Sequence, residues 1–443
     1  ITVNIYWFAL NARSQVLTPL ILPLLIQHFV GESAKGTYVG TIRFWGLIFA
    51  VLVQSGMGLI SDRSSMKWGK RRPFILAGAV GDIFLLVMLG INSGMSGFEG
   101  YWILFVIYLF TMFSSNTSHA ALQGLIPDLI PEEKRGLFSG VKALFEVPIS
   151  LIFVTFFISK LVQSENLWGV IIILIIVVML SALITMFVPE THQKVIQSKL
   201  DYKPFMKLFF MTACFALIIL TAGYIVQFVI RIARNLPDFE NFIVIGLAGL
   251  AGMVLATIIG VWCGVAISDG INKENRRSFM WWVINRLAFL IGSTNLATFI
   301  IYFLQERYGY VYAGAAGPAA QVVSVVGLFI LISVIQSGWL DDRFGKKRLT
   351  MISGILAGTG TFIVVLIPNL IALFIGGGVM GIGIGLFYTS NWALGTEIVP
   401  KDKAGEYLGI ANLAGAGAGA IGAYLGGPIA DEKSYVVLFI IYG

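Results

Sequence analysis

Seven ionisable side chains fall inside long apolar stretches of this chain: Arg13, Arg43, Asp82, Lys142, Glu146, Arg286 and, when protonated, His119. A charge in hydrocarbon costs several kcal/mol unless it meets water or a partner, so these positions are the first candidates for binding a solute or carrying a proton. Lys142 and Glu146 stand at i and i+4, close enough on a helix to pair. Glu146 is then either a carboxylate that gains and loses a proton as the pair opens and closes, or half of a static pair that fixes its helix. Asp82 is a second carboxylate of that kind, or a fixed hydrogen bond to the preceding span. Asn116, His119 and Gln123 fall at i, i+3 and i+7 and share one helix face, which should line a cavity. An imidazole titrates near neutral pH and suits a proton shuttle, although a neutral ring satisfied by a hydroxyl or carbonyl fits the same position. Asn11, Arg13, Ser14 and Gln15 lie consecutively enough that, at about 100° per residue, they cannot all face one way. Arg13 with one amide would suit an anionic or polyhydroxylated ligand through its fork of donors, or else a structural ion pair. Further along, Arg286, Asn295, Gln321, Tyr388, Ser390 and Asn391 form a sparser polar set, in which Tyr388 and Trp392 offer amphipathic rings for stacking.

The elements that must position these groups are membrane helices. Of 443 residues, 57% are hydrophobic and only 12% charged, with a mean hydropathy of +0.87; ordinary soluble proteins are about a quarter charged. The net charge of +7 could suggest nucleic acid, but its distribution argues otherwise. With alternate loops assigned to opposite sides, twenty of the Lys and Arg residues fall on one side, six on the other and four inside spans. That asymmetry places the basic loops in the cytoplasm and the chain in the plasma, or inner, membrane. Cys214 and Cys263 lie in apolar runs without metal-ligand spacing and read as small core residues. No metal site, cofactor site or catalytic nucleophile is expected. GAGAIG, at 417–422, fits a dinucleotide fingerprint but lies in a membrane helix with no preceding strand, so its glycines read as small residues for close helix packing.

A membrane helix needs roughly 20 apolar residues. Such spans are predicted at 3–28, 38–60, 73–92, 101–126, 137–160 and 168–188, then at 205–230 and 242–267, then at 279–305, 314–340, 349–367, 371–396, 404–430 and from 434 onward. The expected organisation is an all-α polytopic membrane protein: a six-helix bundle at 1–188, a cytoplasmic linker at 189–204, an inserted helical hairpin at 205–267, and a second six-helix bundle at 279–443 whose fourteenth helix is incomplete.

Two loops recur. GLISDRSSMKWGKRRP, Gly58 to Pro73, is echoed 280 residues later by GWLDDRFGKKR, Gly338 to Arg348. DLIPEEKRGLFSG, Asp128 to Gly140, is echoed at an offset of 269 by EIVPKDKAGEYLG, Glu397 to Gly409. Each prolyl residue marks a helix boundary, because the residue before proline is pushed out of helical geometry. Two homologous bundles in the same orientation follow.

With these loops the chain resembles the major facilitator superfamily, and GKRRPFI, LIPDLIPEEKRG and NWALGTEIVPKDKAGEYLGIANLAGAGAGAIG resemble its sucrose-transporter-like and glycoside-pentoside-hexuronide branch. One departure concerns the melibiose-type symporters of that branch, which carry paired acids on the second helix; here Thr41 to Ile60 holds none. The resemblance implies a gating role for Asp62, Arg63, Arg72, Asp342 and Arg343, joined by Asp128, Arg135 and Glu397. It also implies a non-enzymatic secondary transporter that moves a small polar solute, a sugar or glycoside, by rocking of two bundles; the intramembrane residues Glu146, His119 or Asp82 are expected to couple it to protons. The partners expected are a small-molecule substrate, protons and membrane lipid, with no nucleic acid. Two other readings stay open. One is an exporter of drugs or lipids, suggested by fourteen helices. The other is a non-transporting scaffold or assembly subunit with a protein partner at the 205–267 hairpin, where Arg231, Arg234, Asp238 and Glu240 mark the outer turn.

Overall fold

The computed structural model describes residues 2–190, 202–267, 273–398 and 404–443, and within them the side chains other than those of 132, 135–137, 273–275, 396 and 404–414. The described chain is helical throughout, as hydrocarbon demands, since a helix satisfies its own backbone donors and acceptors. The helices are α1 (Ile5–Val30), α2 (Lys35–Asp62), α3 (Arg72–Asn92), α4 (Gly97–Leu129), α5 (Phe138–Gln163), α6 (Leu167–Thr185), α7 (Lys203–Ala233), α8 (Asp238–Ile267), α9 (Arg276–Tyr308), α10 (Tyr312–Phe344), α11 (Lys346–Leu366), α12 (Leu370–Ile398), α13 (Ala404–Glu432) and α14 (Tyr435–Tyr442). Twelve helices are long and apolar enough to cross a membrane among the described residues. The hydropathy reading located each of them within a few residues.

Local chemistry sets several boundaries. Pro73 occupies the first turn of α3, where a missing N–H costs nothing. Asn166 caps α6 by accepting from the Gly169 amide at 2.9 Å. Asp431 performs the same service for α2 from outside that helix, its two oxygens accepting from the Gly36 and Thr37 amides at 2.7 Å each. Helix α5 is interrupted where Val147 precedes Pro148, so the helical segment Glu132–Glu146, which runs into it, ends at the carboxylate singled out above. Helix α1 contains a π-helical turn, Leu17–Ile21, around Pro19.

The chain forms two compact units. The first holds residues 1–30 and 49–206, the second 31–48 and 207–443. The inserted hairpin therefore belongs with the second repeat, and α2 divides between the units at its middle. In the first unit, Tyr6, Trp7 and Leu10 of α1 pack with Ile75 and Ala79 of α3, Ala121 and Leu125 of α4, and Val178 of α6. In the second, Phe303 of α9 stacks on Phe439 of α14, with ring centroids 4.1 Å apart.

Helix α13 is the hub of the second unit, and its small residues make it one. A side chain on Gly417 would strike Phe215 of α7, one on Gly422 would strike Asn295 of α9, and one on Gly426 would strike Tyr442 of α14. The closest approach is to α2, where a Cβ on Gly40 would lie 2.2 Å from the Ala423 carbonyl oxygen and one on Gly427 would lie 2.2 Å from that of Gly36. The hairpin docks by the same device, Gly249 receiving Ile429 and Gly223 receiving Tyr424. Gly40→Ala should therefore lower stability by about 1–3 kcal/mol through overpacking against backbone. Gly58→Ala, with nothing within 4 Å of the added carbon, should stay within about 0.5 kcal/mol of the parent. Thermal unfolding of the two purified variants checks this, and equal midpoints would refute the close approach.

Candidate functional site

The first unit contains two polar clusters of different character. One is closed. Arg13 of α1 is 3% exposed and Asp82 of α3 is 0% exposed; the guanidinium donates to the carboxylate at 3.0 Å and through Nη2 to Ser115 Oγ of α4 at 2.5 Å. Around this pair α4 supplies hydroxyls, Ser114 donating to the Gly78 carbonyl at 2.7 Å and Ser118 to that of Ile75 at 3.1 Å. Gly78 is where α3 and α4 come closest, since a Cβ there would meet Ser118 Oγ at 2.0 Å. Arg13 and Asp82, expected as a ligand and a coupling acid, are thus partners in one buried ion pair. Asp82 bonds back to α1 rather than to α2.

The other cluster is open. On α5 the Lys142 ammonium lies 3.6 Å from Glu146 and 3.8 Å above the Trp7 ring, and the two charged side chains remain 27% and 32% exposed. The His119 ring meets Trp7 edge-on with centroids 5.1 Å apart, and its Nε2 lies 3.2 Å from the Gln123 amide nitrogen. Gln54 of α2 donates to Gln123 Oε1 at 3.3 Å. Four helices converge here, and Gln123 is exposed. The third member of the α4 stripe departs from expectation: Asn116 is buried and donates to its own helix at Met112 O, 2.8 Å away. Asn11 is half-buried and likewise turns back, to Trp7 O at 3.0 Å.

In the second unit Asn391 of α12, fully buried, organises the polar set. Its Nδ2 donates to Asn285 Oδ1 at 3.1 Å, its Oδ1 accepts from Arg286 Nη1 at 3.3 Å, and its backbone carbonyl accepts from Trp282 Nε1 at 2.8 Å. The Arg286 guanidinium lies over the Trp392 ring at 5.2 Å. Asn285, Tyr388 and Trp392 are exposed around it. Asn295, expected as a ligand, is instead a helix-packing group, 0% exposed and donating to Ile291 O and across to Ala418 O.

The loops repeat in geometry as in sequence. Lys70 pairs with Asp128 at 3.3 Å in the first unit, and Lys346, at the matching place, pairs with Glu397 in the second. The centre of the first loop is Arg71, whose Nε donates to Asp128 at 2.8 Å, whose Nη1 donates to Ser61 at 2.7 Å, and which also pairs with Asp62. Its backbone amide donates to Glu190 at 2.9 Å. Gly69 permits that approach, with φ at +116° and no room for a Cβ against Glu190. Sequence reasoning named Arg63 and Arg72 as gating residues; Arg71 makes the ties given above, and Arg72 opens α3. Arg343 lies over Trp339 at 5.3 Å beside exposed Asp342. The Arg135 side chain lies outside the described residues. Gln54, Trp7, Asn285 and Arg71 were missed as site residues; Gln54 at least stood out as an amide in the apolar second span. At the hairpin turn Arg234 grips Glu432 through two nitrogens, at 3.0 and 2.6 Å, an intramolecular use of a residue that had suggested a docking surface.

Comparison with known proteins fits this arrangement. Residues 265–423 match the Major Facilitator Superfamily. The uncharacterized MFS-type transporter YhjX of Escherichia coli K12 is 31% identical over 169 residues, 35% of this chain and 42% of its own length. Sucrose transport protein SUT1 of Oryza sativa subsp. japonica is 30% identical over 132 residues, 26% of this chain and 23% of its own. The matched stretches thus span less than half the length of these relatives. Among solved structures, a POT family transporter in complex with 5-aminolevulinic acid superposes with a TM-score of 0.66 at 16% identity, covering 99% of this chain and 92% of that one. Nucleoside transporter NupG gives 0.65 at 13%, covering 100% and 94%. These structures share the fold.

Removing one member of a buried ion pair leaves an uncompensated charge, at about 3–5 kcal/mol, whereas replacing both by apolar groups is often neutral. Asp82→Leu should accordingly destabilise the protein by that amount, and the double variant Arg13→Leu with Asp82→Leu should recover most of the loss. Unfolding midpoints of the singles and the double decide it; additive losses would show that the pair is not the dominant contact.

Proposed function

We propose that this chain, a multi-pass integral membrane protein of the major facilitator superfamily, is a secondary transporter that carries a small polar solute of the sugar or glycoside class by alternating access, driven by a proton gradient. One observation carries the reading. Each unit presents an accessible polar face in the midst of apolar helices: exposed Gln123 with half-buried Gln54, Lys142 and Glu146 in the first, exposed Asn285, Tyr388 and Trp392 in the second. Lipid offers such groups no hydrogen bonds, so faces of this kind belong to a water-filled path. The relatives named as sucrose and MFS-type transporters favour the same reading.

For coupling, Glu146 has the best position. Its pair with Lys142 is accessible and spans only 3.6 Å, while the Arg13–Asp82 pair is enclosed on every side. Glu146 is also the last residue before the Pro148 break, where Ser150 Oγ donates to its carbonyl at 2.6 Å, so a change in its charge acts where the helix has lost a backbone hydrogen bond. When Glu146 binds a proton, Lys142 loses its anion and is freed toward the Trp7 ring. The basic loops lie on the cytoplasmic side of the plasma or inner membrane, by their excess of Lys and Arg.

In proteoliposomes, Glu146→Gln should abolish gradient-driven accumulation, a loss of more than tenfold, while leaving solute counterflow at its parental rate. A Gln variant that still concentrates solute against its gradient would remove Glu146 from the coupling step.

A further inference from the structure

We infer that the transported solute carries a carboxylate and that Arg286 is the residue that selects it, an inference that rests on the transporter reading above. Arg13, Lys142 and Arg286 differ in how their charge is balanced inside the spans. Arg13 is matched by Asp82 and Lys142 by Glu146. Arg286 has no such match: among the described residues no carboxylate lies within ion-pair distance of it, and its contacts are the Asn391 amide oxygen and the Trp392 ring. It is nonetheless buried to 91%, with 9% of its surface exposed, and its Nε is enclosed without an acceptor.

A guanidinium has five N–H donors in a rigid plane, and here one has found a protein acceptor. A buried cation in this state is expensive to maintain and gains most from an anion that brings its own lone pairs. The surroundings are arranged to hold the side chain in place: Asn391 is fixed by Asn285 and by Trp282, and Trp392 backs the guanidinium plane. A static role would call for an acid from a neighbouring helix, as Asp82 supplies for Arg13. Exposed Asn285 and Tyr388 beside the guanidinium add amide and phenol groups for hydroxyls of the same solute. A hydroxy acid or sugar acid meets both demands; a neutral sugar leaves the charge unanswered.

The test uses matched pairs on the full-length protein in liposomes under an inward proton gradient. D-glucuronate is compared with D-glucose, gluconate with sorbitol, and L-lactate with propane-1,2-diol. The expected result is accumulation of at least one acid with its neutral counterpart moving at least tenfold more slowly. In Arg286→Gln that acid should lose at least tenfold in apparent affinity, and Arg286→Lys should recover part of the loss. The wild-type comparison of each pair stands even if the Gln variant fails to fold. Transport of a neutral solute as efficient as that of its acid, or undiminished acid transport by a folded Gln variant, would overturn the carboxylate assignment and leave the transporter reading intact. No movement of any solute would overturn both.

Discussion

Hydrocarbon supplies no counter-charge and no hydrogen bond, and the structure is arranged around that lack. Five of its intramembrane ions meet it at three levels of closure. Arg13 and Asp82 are sealed among α1, α3 and α4, with serine hydroxyls completing the set. Lys142 and Glu146 are paired but accessible. Arg286 is buried beside an amide and an indole, with no anion in ion-pair distance among the described residues. The closure is graded: a sealed pair ties helices together, an accessible pair meets solvent, and a cation is held by an amide and an indole.

The same lack shapes the packing. Lipid tails are as apolar as leucine, so helices in a membrane gain by approaching closely, and small residues allow it. Helix α13 takes this furthest, receiving α2, α7, α9 and α14 on different sides of one glycine-rich surface. The consequence for α2 is mechanical. Its residues up to 48 belong to the second unit through Gly36, Gly40 and the Asp431 cap, while those from 49 belong to the first. One unbroken helix is therefore shared by both units.

Hydropathy and two repeated loops made the helices and their pairing into repeats legible, because a span declares itself by composition over 20 residues. The polar sites were legible only as positions on helices. A polar residue in an apolar run reveals which face it lies on, but not whether that face meets water or another helix. Asn116 and Gln123 share a face by periodicity, yet one is enclosed and the other exposed. Asn295 looked like a ligand because its acceptor, the Ala418 carbonyl, is backbone and leaves no trace in residue type. Arg13 and Asp82 stand 69 residues apart, and their pairing needs the knowledge that α1 adjoins α3. Among Arg63, Arg71 and Arg72 the spacing alone could not say which guanidinium turns inward.

The two repeats kept their ends and diverged at their centres, and the physics differs accordingly. The Lys70–Asp128 and Lys346–Glu397 pairs occupy matching places at helix ends, in contact with water, where a single exposed pair is worth little on its own. What such a pair contributes is registry between consecutive helices, a requirement identical in both halves. The centres have diverged in residue type and in charge. The first unit offers a zwitterionic pair with a histidine and two amides, and the second a bare cation with aromatic and amide neighbours. Among the described spans the unmatched charge therefore lies in the second unit, at Arg286, where an amide and an indole hold the guanidinium in place of an anion.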